Sequence, residues 1–371
     1  MRPAAGAAPD MRSLHIDEQT GWRGGELQAS WLMRGLAARG HWVGLAAREG
    51  SPFLKHDFGE AAVQKFAVSL RSEADIASAW RLARIARENR VDILHAHTSH
   101  AHTLACLARG FYPACKVVAH RRVSFPPKGG AINRWKYRAP DRIVCVSGEV
   151  RRVLLDYGLS PQQAVLVHSA VNLDRLAVPA ASRESLGVPE GVPLLVSAGA
   201  LVGHKDHATL LDAMAEVRKH SPDARLLILG EGPLRSDLEA LIQRLGLTQL
   251  VQLLGHRDDA PAVLRAADIY VSSSWSEGLG TSVLEGLACG IPVVAAEAGG
   301  IPEIVLDGET GWLVPNRNAG ALAAAIVECL EHPEEGRRRA AAGRQLVEQQ
   351  FTVERMVEGN LAVYEDLLGK S

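Results

Sequence analysis

Cysteine is scarce and unpatterned: Cys106, Cys115, Cys145, Cys289 and Cys329 are odd in number, widely spaced and free of any C-x-x-C pair. That excludes a disulfide framework and a zinc ribbon and leaves five small core residues. Long apolar runs are missing too. Nothing approaches the roughly 20 residues of a membrane span, and the alanine-rich start, Met1 to Asp10, lacks the apolar core of a signal peptide. A cytoplasmic chain is therefore expected, with the residues before Met11 read as a disordered extension or an upstream start. Net charge is nearly absent, at -1, but the balance hides an asymmetry. Through Leu186 there are 26 Lys and Arg against 16 Asp and Glu, or +10, while the remainder, with 15 against 26, carries -11. The first half is the part suited to an anionic surface.

What is present is a long alternation. The length of 371 residues and the 47% hydrophobic content are enough for two cores. Strand-type runs from Met11, His41, Val63, Val91, Lys116, Arg142 and Ala164 alternate with helical patterns such as 74–89 and 149–157. Asn172 to Gly191, rich in Pro, Ala and Ser, reads as a linker, and alternation resumes at Pro193, Arg225, Leu250 and Ile269. The pattern predicts an α/β chain of two doubly wound, Rossmann-like domains, residues 11–175 and 190–350. Ligands of such sheets bind beyond the carboxyl ends of the strands, so polar residues there are the candidates for function.

The richest strand end is Ser272 to Val294. Gly278 and Gly280 let the backbone bend and approach a ligand, and Thr281 or Ser282 is placed to cap the helix that carries Glu285. The free N–H groups at that helix start form an anion site. Glu277 and Glu285 flank it, and acids beside an anion make sense if they face sugar hydroxyls. A second cradle is expected at Thr20 to Glu26, where Gly24 and Gly25 open a helix. Four histidines, His95, His97, His100 and His102, fall within eight positions, with His95 and His97 on one face and the others in the turn and helix start. No cysteine or acid nearby completes a ligand set, and no metal is expected.

These motifs together resemble the retaining glycosyltransferases of family 4 (GT4), which have the GT-B fold. The likeness rests on the two glutamates eight apart, on Gly290-Ile291-Pro292-Val293-Val294 and Gly299-Gly300-Ile301-Pro302-Glu303, on the loop from Gly199 to Lys205, and on Gly230-Glu231-Gly232-Pro233; it runs from Leu14 to Leu368. It implies two domains facing each other across a cleft, with the last helix, 352–369, returning to the first. It also implies a metal-independent transfer of a hexosyl-type sugar, without a cofactor, from a nucleotide-diphosphate donor to an acceptor hydroxyl, in glycan or glycolipid synthesis. In that reading His120, Glu277 and Lys205 are catalytic. Glu285 holds the ribose, Glu277 with the backbone of Gly278, Leu279 and Gly280 holds the sugar, and Lys205 with the N–H groups of Thr281 and Ser282 holds the diphosphate. Gly24 and Gly25 face the donor phosphates, and Gly232, His256 and Arg257 lie beside the nucleotide.

One departure stands out: Ala200 occupies the position of the family's loop arginine, with His204 and Arg121 as candidate substitutes. The alternatives are a GT-B nucleotide-sugar epimerase and a non-catalytic sugar-nucleotide sensor. Between His120 and Arg142 lie Arg121, Arg122, Lys128, Arg134, Lys136 and Arg138 among Phe125, Trp135 and Tyr137. Such interleaving suits an anionic membrane surface at the inner-membrane face and a glycolipid acceptor. No nucleic-acid partner is expected.

Overall fold

The computed structural model describes residues 11–370, so the reading of Met1 to Asp10 lies outside the described residues. The chain forms two compact units: one runs up to Ser169 and takes in the segment from Val353 onward, and the other is Ala170–Thr352. In the first unit the strands are β1 (Arg12–Asp17), β2 (Trp42–Arg48), β3 (Val63–Val68), β4 (Ile93–Ala96), β5 (Lys116–Arg121), β6 (Arg142–Cys145) and β7 (Ala164–Leu166). Its helices are α1 (Gly24–Ala38), α2 (Pro52–Lys55), α3 (Ile76–Glu88), α4 (Ser99–Phe111), α5 (Ala131–Arg138) and α6 (Gly148–Asp156). The second unit begins with α7 (Leu173–Leu176) and continues with β8 (Leu194–Ala198), α8 (His207–Val217), β9 (Arg225–Leu229), α9 (Arg235–Arg244), β10 (Val251–Gly255), α10 (Ala260–Arg265) and β11 (Ile269–Ser272). Then come α11 (Thr281–Ala288), β12 (Val293–Ala296), β13 (Trp312–Val314), α12 (Ala319–Glu331) and α13 (Pro333–Gln350). The last helix, α14 (Val353–Leu368), belongs to the first unit.

Both sheets are parallel throughout, ordered β3-β2-β1-β4-β5-β6-β7 and β10-β9-β8-β11-β12-β13. The inner strands are short and mostly buried, as a parallel sheet requires, while β3 at one edge leaves Gln64, Lys65 and Ala67 exposed. Strand order reverses between β1 and β4 in one sheet and between β8 and β11 in the other. At such a reversal the loops beyond the carboxyl ends diverge to opposite faces and leave a crevice. The loops after β1, β4, β8 and β11 are therefore where ligands are expected, and they carry the motifs singled out above.

Two local readings are corrected. The expected linker, 172–191, is part of the second unit: Asn172 caps α7, and Arg183 donates to Val192 O at 2.6 Å and to Asp268 Oδ2 at 2.9 Å. Its composition is loop-like, but its polar groups are tied to the β8 and β11 ends. Neither Thr281 nor Ser282 caps α11. Gly280 takes that position with φ 94°, and Thr281 is already helical.

Helix α14 is fixed to the first unit by apolar and polar contacts. Met356, Val357 and Tyr364 are buried, and Arg142 pairs with Asp366 at 2.6 Å. Gly35 of α1 makes room for Val357, since a Cβ there would stand 2.4 Å from Val357 Cγ2. Gly35→Ala should therefore lower stability by about 1–3 kcal/mol through overpacking. Gly110→Ala, where none of the described residues comes within 4 Å of the added carbon, should gain up to about 1 kcal/mol from helix propensity. Thermal unfolding of the two variants checks the opposite signs.

Candidate active site

In the second unit the site is built on backbone contacts that only glycine permits. A Cβ at Gly230 would stand 2.0 Å from Gly199 O, one at Gly232 2.4 Å from Leu201 O, and one at Gly299 1.8 Å from Glu277 O. The loops after β8, β9, β11 and β12 thus touch main chain to main chain. Cross-loop hydrogen bonds, Leu201 N–H to Glu231 O at 3.0 Å and Gly300 N–H to Gly278 O at 3.2 Å, hold them together. Gly232 is accordingly a packing glycine here.

On this base Lys205 and Glu277 meet. Lys205 Nζ donates to Glu277 Oε1 at 2.5 Å, and Ser274 Oγ donates to the same oxygen at 2.8 Å. The lysine stem runs across Gly199, where a Cβ would come within 3.1 Å of it. Trp275 locks the two loops by donating N–H to His204 O and Nε1–H to Gly203 O, each at 3.0 Å. Buried Leu279 anchors the glycine loop, and Gly280, in the left-handed region, turns it into α11 without a side-chain cap. The N–H groups of Thr281 and Ser282 are left without a side-chain oxygen of that kind, which favours an anion at this end.

Glu285 lies one turn inside α11, and Arg175 Nη1 donates to its Oε1 at 2.5 Å. Burial pushes the Glu285 carboxyl above the usual range, and Arg175 pulls it back. Arg175 was not foreseen. Its signal was Asn172, a capping residue three positions earlier, whose Oδ1 accepts from Arg175 N–H at 3.2 Å. His256 and Arg257 turn to their own neighbours: Arg257 holds Asp259 at 2.6 Å, and His256 lies 3.3 Å from Asp258. Of the groups considered beside Ala200, His204 is exposed and Arg121 is buried in the first unit, donating to Tyr137 Oη at 2.5 Å and to Phe125 O.

In the first unit the crevice end is lined by buried charge and a histidine cluster. Gly24 begins α1, and Gly25 packs beside Arg122, 3.8 Å from its Cδ to an added Cβ. Glu26 accepts from Arg23 N–H at 2.6 Å, which satisfies a free backbone donor at the start of α1. Asp17, at the end of β1, has its carboxyl pushed up to about 8 by burial and by Glu26, and its Oδ2 is buried without a partner among the described residues. Burial pushes Arg122 down to about 10 against the pull of Asp17 and Glu26.

His120 does not stand alone. His15 and His95 sit opposite each other in the β1–β4 register, and the rings of His95 and His120 lie edge to edge, 6° from parallel, with centroids 4.7 Å apart. His95 Nε2 meets His120 Nδ1 at 2.6 Å, His95 Nδ1 meets the Tyr364 hydroxyl, and His15 Nδ1 meets His97 Nε2 at 2.8 Å. His100 and His102 point elsewhere, His100 towards Glu73 at 3.6 Å and His102 edge-on to Tyr137. Ring nitrogens of His15, His95 and His97 lie within 4.8 Å of one another, a spacing that could hold a metal ion. Ser13 Oγ at 3.1 Å and Arg122 Nη2 at 3.4 Å complete their pairing, so all six nitrogens are engaged and an ion would have to displace those bonds. The third histidine was missed because it lies on another strand; its signal was its place at the end of β1, level with His95.

The chain as a whole is similar to known proteins. Residues 180–346 match the family model "Glycosyl transferases group 1", and residues 22–175 match "Glycosyltransferase Family 4". The N-acetyl-alpha-D-glucosaminyl L-malate synthase of Bacillus anthracis is 25% identical over 366 residues, 91% of this chain and 92% of that one. The lipopolysaccharide core biosynthesis glycosyltransferase LpsE of Rhizobium meliloti is 28% identical, with 89% and 92% covered. The Anabaena HepE structure in complex with UDP and glucose has a TM-score of 0.82 at 22% identity, covering 97% of this chain and all 100% of that one.

Burial gives the two units of charge opposite pH signatures. Burial takes His15 down to about 3 and His95, His97 and His120 well below their ordinary value of 6.5. Below 6.5 the unfolded chain binds protons that the folded one refuses, so their contribution is fully present above 6.5 and is lost as pH falls towards 3. Asp17, raised from 3.8 to about 8, works the other way: its contribution is present below 3.8 and is lost as pH rises through 8. In melting curves across pH 4 to 9, His15→Gln should flatten the acid limb and Asp17→Asn the alkaline limb.

Proposed function

The chain belongs to group 1 of the glycosyl transferases, and from that premise we propose that it moves a sugar from a nucleoside-diphosphate donor to an acceptor hydroxyl with retention of configuration and without a metal. The observation that carries this reading is the Lys205–Glu277 pair, 2.5 Å apart, on the loop that leads into the uncapped start of α11. A leaving diphosphate gains negative charge as the glycosidic bond breaks. A fixed ammonium and free helix N–H groups stabilise that charge where it develops. Glu277, held by Lys205 and Ser274, is oriented to accept from sugar hydroxyls. Glu285, held by Arg175, accepts from the ribose. Arg175 also brings a second cation to an acid of this unit, where Ala200 leaves the loop without one.

No side chain is assigned as a covalent nucleophile. The acceptor oxygen attacks from the face that the diphosphate leaves, and a phosphate oxygen takes its proton. UDP, which the Anabaena neighbour holds, is the first nucleotide to test. Glu285→Ala should weaken its binding in calorimetry by about 1.5–3 kcal/mol, the range for a charged hydrogen bond. Glu277→Ala should lower turnover more than nucleotide affinity, and transfer should survive a chelator. Unchanged UDP affinity in Glu285→Ala removes it from the ribose site; tight nucleotide binding with no transfer to any acceptor would make the chain a sensor instead.

The acceptor is lipid-linked or anionic in this reading, and the chain works at an anionic membrane surface. No helix among the described residues is long and apolar enough to cross a membrane. Around α5, however, Ile132 is 78% exposed, Phe125 54% and Trp135 44%, with Lys128, Arg134 and Arg138 exposed among them. Three basic residues counted in the sequence turn inward: Arg121 and Lys136 are buried, Lys136 on Glu73 at 2.6 Å, and Arg122 donates to His97 O at 3.1 Å. The surface is smaller than the sequence suggests but keeps apolar side chains beside cations, each worth about 1 kcal/mol near an anionic leaflet. In liposome sedimentation, binding should need anionic lipid and fade with salt, and Ile132→Asp should abolish it. Equal recovery in the supernatant with and without liposomes would sink the membrane reading.

A further inference from the structure

The histidine cluster has an outer end that the proposed chemistry does not use, the hydroxyl of Tyr364 on α14. Tyr364 and His95 are fully buried, and His95 Nδ1 is the hydrogen-bond partner of that hydroxyl among the described residues. A phenol always carries one proton. Were His95 Nδ1–H to donate to the phenol oxygen, the phenol proton would be buried without an acceptor, at the full desolvation penalty of a polar group. The proton therefore runs from Tyr364 to His95 Nδ1. A neutral imidazole has one N–H, so His95 carries its own on Nε2, and this one points at His120 Nδ1, 2.6 Å away. His120 Nδ1 must then be bare, and the His120 proton sits on Nε2.

We propose that Tyr364, acting through His95, fixes His120 as the Nε2–H tautomer, so that His120 meets its ligand as a hydrogen-bond donor and not as a base. Tyr364 and His95 are positioning residues. The ligand group opposite His120 must then be an acceptor oxygen, of a sugar hydroxyl or a phosphate, and the C-terminal helix decides this from within the core. A parallel chain in the same cluster runs the same way. Arginine can only donate, so Arg122 Nη2 at 3.4 Å makes His97 Nδ1 an acceptor; His97 Nε2–H then donates to His15 Nδ1 at 2.8 Å, and His15 Nε2–H donates to Ser13 Oγ at 3.1 Å. Both chains begin at a group whose proton has one direction to go, and both leave every ring protonated on Nε2. The four rings remain neutral, as their burial also favours.

That His120 faces a ligand at all rests on the glycosyltransferase reading, in which the family resemblance makes it catalytic, so the test separates the two. Two-bond proton–nitrogen NMR correlation on the full chain with 15N-labelled histidine distinguishes bare from protonated ring nitrogens, and His120→Gln identifies the signal. In the wild type His120 should show a single tautomer with Nε2 protonated; a proton on Nδ1 overturns the proposal outright, without any variant. In Tyr364→Phe the two tautomers become closer in energy, and a Nδ1–H population should appear at His120 while the signals of surface His220 and His332 stay in place. A His120 that stays wholly Nε2–H in the folded variant shows that something other than Tyr364 sets it and overturns the relay. UDP-glucose added to the wild type probes the ligand role: a displaced His120 Nε2–H signal supports the donor contact, whereas a correct tautomer with an unmoved signal upholds the relay and takes His120 out of that donor's site.

Discussion

The Lys205–Glu277 pair in the second unit depends on how closely four loops bring their backbones together. Gly230, Gly232 and Gly299 meet the carbonyl groups of Gly199, Leu201 and Glu277 at distances that leave no room for a Cβ. Because the loops after β8 and β11 are pinned in this way, Lys205 and Glu277, 72 positions apart, sit within one hydrogen bond. A side chain at any of these glycines would push apart the base on which the pair stands, which is a different cost from the loss of loop flexibility. The strand reversal between β8 and β11 supplies the crevice, and the glycines narrow it to a site.

Charge in that site is balanced pair by pair. Glu277 is matched by Lys205 and Glu285 by Arg175, each at 2.5 Å, so neither acid is left buried alone. An unpaired carboxylate there would be driven towards its protonated form, and burial already raises the Glu285 carboxyl against the pull of Arg175. The first unit resolves the same problem differently. Its histidines are kept neutral and joined ring to ring, with Arg122 and Tyr364 closing the two ends. That solution needs α14 to be in place, and the gap at Gly35, filled by Val357, is what lets the helix lie there.

The membership of the chain in the group 1 glycosyl transferases joins these observations to one chemistry, while the departures are its own. Ala200 removes a cation from the β8 loop, and Arg175 brings one to Glu285 from a short helix at the start of the unit. The basic, aromatic segment around α5 divides its residues: Lys136 and Arg121 hold the fold together, and Ile132, Trp135 and Arg134 face outward. Composition counts both groups alike, which is why the sequence overstates the cationic surface.

The sequence by itself determined the two parallel sheets, because apolar runs of strand length alternating with helical periodicity leave few other ways to bury both faces. It also determined the glycine-bearing strand ends near Lys205 and Glu277, since glycine loops after strands are local signals. It misplaced what depends on partners distant in the chain. The stretch from Asn172 to Gly191 looks like a linker by composition, yet Arg183 ties it to Asp268; Thr281 looks like a helix cap, yet Gly280 with φ 94° ends the turn one residue earlier. Arg175 on Glu285, His15 beside His97 and Tyr364 on His95 bridge 110, 82 and 269 positions. Hydrogen bonds of that reach leave no periodicity or spacing in the sequence; only the packing of strands side by side and of the last helix against the first sheet decides them, because a polar group inside the fold takes the partner that the packing brings within about 3 Å.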